Sequence, residues 1–117
     1  MTTSDFLSVT QQDGPGGHRV LVVAGEIDRD SRDTLNGAAE RATGEADPHL
    51  VIDLTGVTFC DSSRLSLFVD LHRRAQARGG WLRLAAPGPV LTDMLRITNL
   101  NRMLEVYDTV ADATAEC

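Results

Sequence analysis

Asp61-Ser62-Ser63 is the stretch of this 117-residue chain with the clearest chemical potential. It stands between an apolar run, Leu50-Val-Ile-Asp-Leu54, and a segment of helical periodicity that opens at Ser62. The first amides of a helix point outward unpaired and carry partial positive charge, so an anion is stabilised there. A hydroxyl at such a point is placed both to receive a phosphate and to have it read. Ser62 is the candidate and Ser63 the second one. The same residue types also serve as helix caps, because Asp and Ser side chains accept from the second or third amide. Capping and modification are compatible. A phosphate of charge about −1.5 to −2 gains only about 0.3 to 1 kcal/mol from the helix dipole, so it acts on binding rather than on folding.

Other chemistries find less support. A serine hydrolase wants a Gly-x-Ser-x-Gly elbow with a nearby His, but Ser62 is framed by Cys60 and Arg64. His72 lies ten residues further along the same helical segment, roughly 15 Å away at 1.5 Å per residue. His18 and His49 fall toward the opposite loop regions, where a lone His reads as structural or solvated. Three His and two Cys without ligand spacing give no metal site. Asp13-Gly-Pro-Gly-Gly17 lacks the Gly-Lys-Ser/Thr ending of a phosphate-binding loop, and no cofactor is expected. Arg73, Arg74 and Arg78 read as a solvated helix face, and Asp53 as a strand-end acid bonding loop amides.

The length suits one domain, 1–117, with mobile ends at 1–4 and 115–117. Apolar residues at 42% and charged residues at 24% are those of a globular chain. The net charge of −6 opposes nucleic-acid binding, which relies on clustered cations; all 11 basic residues are Arg. No apolar segment reaches the ~18 residues that span a bilayer and no leader is evident, so a cytoplasmic protein is expected. Cys60 and Cys117 do not suggest a disulfide, and Cys60 reads as buried and inert.

Elements that could position the serines follow from pattern. Phe6 to Val9 and Arg19 to Ala24 read as an antiparallel hairpin around Gln11 to Gly17. A helix is predicted over Arg29 to Thr43, capped by Asp30 or Ser31, with Leu35, Ala38, Ala39 and Ala42 inward. Leu50 to Leu54 reads as a central strand. The second helix is predicted over Ser62 to Arg78, burying Leu65, Leu67, Phe68, Val69, Leu71, His72, Ala75 and Gln76, and stopping at Gly79-Gly80. Trp81 to Ala85 is a strand, Pro87 to Ile97 a helix with Val90, Leu91, Met94, Leu95 and Ile97 buried, and Asn99 its left-handed stop. Leu104 to Tyr107 is a last strand and Asp108 to Ala115 a helix capped by Asp108, with Val110, Ala111 and Thr114 inward. The order ββαβαβαβα implies an α/β fold: a mixed sheet of four to five strands, opened by the hairpin, with about four helices on it. Sites in such sheets gather beyond the carboxyl ends of strands, here Gly25 to Asp30 and Val57 to Ser63.

Gly25-Glu-Ile-Asp28, Asp53-Leu-Thr-Gly-Val-Thr-Phe-Cys-Asp-Ser-Ser63, Gly79-Gly80 and Leu95-Arg-Ile-Thr-Asn-Leu100, in that order, resemble the STAS domain of bacterial anti-sigma factor antagonists. The resemblance implies a regulated binder rather than an enzyme. Such a protein binds an anti-sigma factor that is itself a serine kinase, with ATP held by the partner, and so releases a sigma factor. Phosphorylation of the serine after the helix-start Asp, here Ser62 after Asp61, reverses this, and a serine phosphatase would reset it. Asp28 matches the family's acidic loop residue near that serine. Glu26, Asp28, Asp61, Ser62, Ser63, Arg64 and Ser66 then form the partner-binding set. Where the family continues with Gly-Leu-Gly, this chain has Arg64-Leu65-Ser66. Arg64 can clash with an ordinary partner, pair with a partner carboxylate, or hold the phosphate. The alternatives are a constitutive STAS interaction or transporter-associated module without phosphoregulation and, third, a hydrolase using Ser62.

Overall fold

The computed structural model describes residues 7–13, 18–27, 31–42, 49–60 and 65–114. The elements in chain order are β1 (Leu7–Asp13), β2 (Arg19–Ile27), α1 (Ser31–Ala42), β3 (His49–Cys60), α2 (Ser66–Ala77), β4 (Trp81–Ala85), α3 (Gly88–Ile97), a 3-10 turn (Leu100–Arg102), β5 (Glu105–Tyr107) and α4 (Val110–Thr114). The five strands lie in the order β1-β2-β3-β4-β5, with β1 antiparallel to β2 and every other pair parallel. This is the expected mixed α/β sheet, and β3 is its central strand.

Alternation along the strands sorts side chains onto two faces. Leu21, Val23 and Ile27 of β2, Leu50, Ile52 and Leu54 of β3, and Leu82 and Leu84 of β4 share one core with Leu35 of α1, Leu67, Phe68 and Leu71 of α2, and Leu91 and Leu95 of α3. The opposite face carries Val20, Val51, Trp81, Ala85 and Tyr107, and α4 covers it through Val110 and the fully buried Ala113. On that face Arg83 donates from Nε to Glu105 Oε1 at 3.0 Å and from Nη1 to the Ala113 carbonyl at 2.9 Å. Its guanidinium also sits 3.8 Å from the centre of the Trp81 ring. At the amino ends of β2, β3 and β4, His49 stacks on Trp81 with an interplanar angle of 7°, and the buried His18 tilts against both. These two histidines belong to the packing of that end.

Several local expectations are corrected. β1 continues through Gln11 to Asp13, because pairing with Leu21 to Arg19 extends the ladder past the polar residues assigned to the turn. β3 runs on from Leu54 to Cys60 beside β2, with two register shifts. α2 begins at Ser66, with Leu65 at the N-cap position and no side-chain cap, so the regular helix starts later than Ser62. Its end follows the glycine rule: Gly79 is left-handed at φ 85°, its N–H donates to the Gln76 carbonyl and that of Gly80 to the Ala75 carbonyl. Gln76 is exposed rather than buried. His72 is buried, and its Nδ1 has no partner.

In α3, Leu91 and Leu95 are buried while Val90 and Ile97 are 74% and 77% exposed. The helix buries a narrow stripe, and the flank holding Val90 and Ile97 faces outward. Asn99 is left-handed at φ 63°, as expected. Thr109, not Asp108, caps α4: its Oγ1 accepts from the Asp112 N–H at 3.0 Å. Ala111 is exposed and Ala113 takes the inward position. Thr114 instead donates its hydroxyl back to the Val110 carbonyl. The expected caps Asp30 and Ser31 of α1 and the side chains of Ala39, Ala42, Cys60 and Cys117 lie outside what is described.

Candidate functional site at the carboxyl edge of the sheet

Parallel strands leave the sheet at one edge, and β2 and β3 leave it together. Val22 pairs with Asp53, Ala24 with Gly56, Gly25 with Val57, Glu26 with Phe59 and Ile27 with Cys60. The offset between partners grows from 31 at Arg19↔Leu50 to 33 at Ile27↔Cys60, one extra β3 residue at each of two bulges. Between the bulges the strands approach closely. A Cβ built on Gly56 would stand 2.9 Å from Ala24 Cβ, so only glycine fits there. Gly25, at φ 106°, supplies the left-handed backbone across from Val57.

The paired ends Ile27 and Cys60 are the anchors from which the two candidate loops depart, since Asp28 follows one and Asp61 the other in the chain. Asp28, Asp61, Ser62, Ser63 and Arg64 lie outside the described residues. Of the predicted set, Glu26 and Ser66 are described: Glu26 is exposed near the end of β2, and Ser66 is exposed as the first residue of α2. Asp53 is explained locally. Its Oδ1 accepts from the Thr55 N–H at 3.0 Å and from the Thr55 hydroxyl at 2.6 Å. Arg73, Arg74 and Arg78 are exposed, and Arg74 lies 3.4 Å from Glu40 of α1, as a solvated face should.

A third stretch at this edge was not singled out from sequence. After β4, Ala86 takes a left-handed conformation at φ 53° and donates its N–H to the Tyr107 carbonyl at 2.9 Å. Pro87 is buried and Gly88 is again left-handed at φ 80°. A left-handed alanine costs about 1 kcal/mol, which the bond to β5 and the buried proline offset. This corner turns the start of α3 outward and leaves Val90 in solvent beside the carboxyl edge. The run Ala85-Ala-Pro-Gly-Pro89 was the available signal, since Pro-Gly marks a tight turn.

No group of three or more metal-ligating side chains occurs among the described residues, and no described helix is long and apolar enough to cross a membrane.

With this geometry established, comparison with known proteins assigns the family. A family profile described as "Mlab, STAS domain" matches residues 10–105, and the chain belongs to the STAS domain family. A Mycobacterium tuberculosis protein named as an anti-anti-sigma factor is 31% identical over 103 residues, covering 86% of this chain and 70% of that protein. The anti-sigma F factor antagonist of Paenibacillus polymyxa is 26% identical over 103 residues, covering 85% and 88%. The crystal structure of an anti-sigma factor antagonist from Mycobacterium paratuberculosis superposes with a TM-score of 0.82 at 27% identity, covering 97% of this chain and 95% of that one. The match to high affinity sulfate transporter 2 of Stylosanthes hamata, 37% identical over 70 residues, covers 57% of this chain and 11% of the transporter. The chain thus spans about a tenth of that relative, and 59% of an anti-sigma factor antagonist homologue from Thermotoga neapolitana.

Proposed function

We propose that residues 1–117 act as one STAS domain and an anti-sigma factor antagonist. It binds an anti-sigma factor serine kinase at the carboxyl edge of the sheet and thereby releases a sigma factor. Glu26, Asp28, Asp61, Ser62, Ser63, Arg64 and Ser66 form the contact set. ATP is bound by the partner. Phosphate on Ser62 turns the binding off, and a serine phosphatase restores it. The observation that carries this reading is the register: Ile27 and Cys60 are cross-strand partners, so the acidic loop and the serine loop depart from one point. The antagonist names borne by relatives matching over 103 residues support the same reading.

The switch works through charge at an interface. A dianion placed about 8 Å from a partner carboxylate meets on the order of 1 kcal/mol of repulsion even at water-like dielectric, and burial without full pairing adds several more. A ~100-fold loss of affinity needs only about 2.8 kcal/mol.

The test is intact-mass and peptide mass spectrometry after incubating the wild type and Ser62→Ala with ATP and candidate anti-sigma kinases from the same cell. The expected result is a single phosphate on Ser62, absent from the variant. Ser62→Glu should then weaken kinase binding by ~100-fold. Binding without phosphate transfer, unchanged in Ser62→Glu, overturns the switch. It would favour the second reading, a constitutive transporter-associated module, which the 37% identity to the sulfate transporter supports.

A further inference from the structure

A second surface is the free side of β5, two strands beyond β3 in the sheet. β5 ends the strand order, and beside it runs a groove of about 630 Å³ between α3, the 3-10 turn and the strand. Met103, 43% exposed, and the half-buried Val106 supply its apolar surface, over the buried Leu95 and Leu104 beneath. Since the Ala86 N–H donates to the Tyr107 carbonyl, Tyr107 turns its backbone groups toward β4, and so does Glu105 two residues earlier. Val106 lies between them, so its N–H and C=O point the other way, out of the sheet along the groove. An outward donor and acceptor beside an apolar trough is what an added strand requires.

Charge selects the occupant. Arg96 is held by Asp93 at 2.7 Å, and Glu105 is held by Arg83. That leaves Arg102 at the end of the groove near the 3-10 turn and Asp108 at the other end, beyond β5. A second copy of this chain is a poor fit. It brings a further net charge of −6, and a three-residue strand gives far less than the roughly 1,000 Å² a stable interface buries. We propose that the β5 groove binds an extended peptide segment of another protein. The segment lies alongside Val106 as an extra strand, sets one apolar side chain into the Leu95–Met103 trough, and presents a carboxylate to Arg102 and a cation toward Asp108.

The probe is a phage-displayed library of random nonapeptides panned on the full chain, followed by titration of a recovered synthetic peptide into 15N-labelled protein. The expected outcome is enrichment of alternating apolar sequences with an acidic residue on one side and a basic one on the other. The largest amide shifts should fall within 92–108, led by Val106. Arg102→Glu should weaken the peptide at least tenfold and Met103→Ser several-fold. Both residues are exposed and their replacement leaves the core intact. Val106→Pro, which removes the outward N–H, should abolish binding, while Ser62→Glu should leave it unchanged. The proposal falls if no peptide is enriched, if the shifts map outside the groove, or if Arg102→Glu binds as the wild type does. It also falls if the free chain dimerises with the same residues shifted, which would make a second copy the occupant.

Discussion

The two faces of this sheet are closed by different means. On the α1–α2–α3 face, eighteen buried residues among those described form one apolar cluster. On the other face four of the described residues form the buried cluster, and the cover is the five-residue helix α4. A helix so short cannot hold itself and buries little area. There Arg83 does what area cannot: it accepts no freedom, being stacked on Trp81, paired with Glu105 and bonded to the last-turn carbonyl of Ala113. A thick cover can rely on non-directional burial, whereas a thin one depends on directed bonds and should fail locally.

The contrast breaks most sharply at Phe68, which is fully buried in the thick layer. Phe68→Ala should cost about 3 to 5 kcal/mol and lower the denaturant midpoint for every probe together. Arg83→Met keeps the stem over Trp81 but removes the bonds. It should cost about 2 kcal/mol and speed amide exchange in α4 while leaving α2 protected. Equal acceleration in both helices would mean that the two faces are one cooperative unit. The smallest change is Thr109→Ala, which deletes the hydroxyl that accepts from the Asp112 N–H and should cost about 1 kcal/mol, read as increased exchange at Asp112 and Ala113.

Much of this was legible in the residues. The order of elements, the bounds of β4 and the stops at Gly79-Gly80 and Asn99 follow from period and from residues that tolerate left-handed backbone. The misreadings share a cause, since they concern which partner an element meets. Val90 and Ile97 have helical spacing equal to that of Leu91, Met94 and Leu95, and only the tertiary setting decides which stripe turns inward. Asp108 and Thr109 are both good caps, one residue apart, and the chain uses the second. The apolar run of the central strand ends at Leu54, yet β2 beside it keeps the strand going to Cys60. The grouping of His18, His49, Trp81 and Arg83 draws on β3, β4 and the residue before β2, and has no local signature. At the candidate site, type and order named the serine and acidic loops, while the register that anchors them at one point emerged only from the strand pairing.

The two bulges in the β2–β3 ribbon have a consequence for chain length. Each extra β3 residue reverses which side the following residues face, and the second reversal cancels the first. Deleting or inserting one residue within 54–59 would therefore send the chain beyond Cys60 out of the opposite side of the ribbon. Changes of two would preserve its side and alter only its reach. Length variation in this ribbon should be tolerated by parity, in even steps, even where the individual residues are interchangeable.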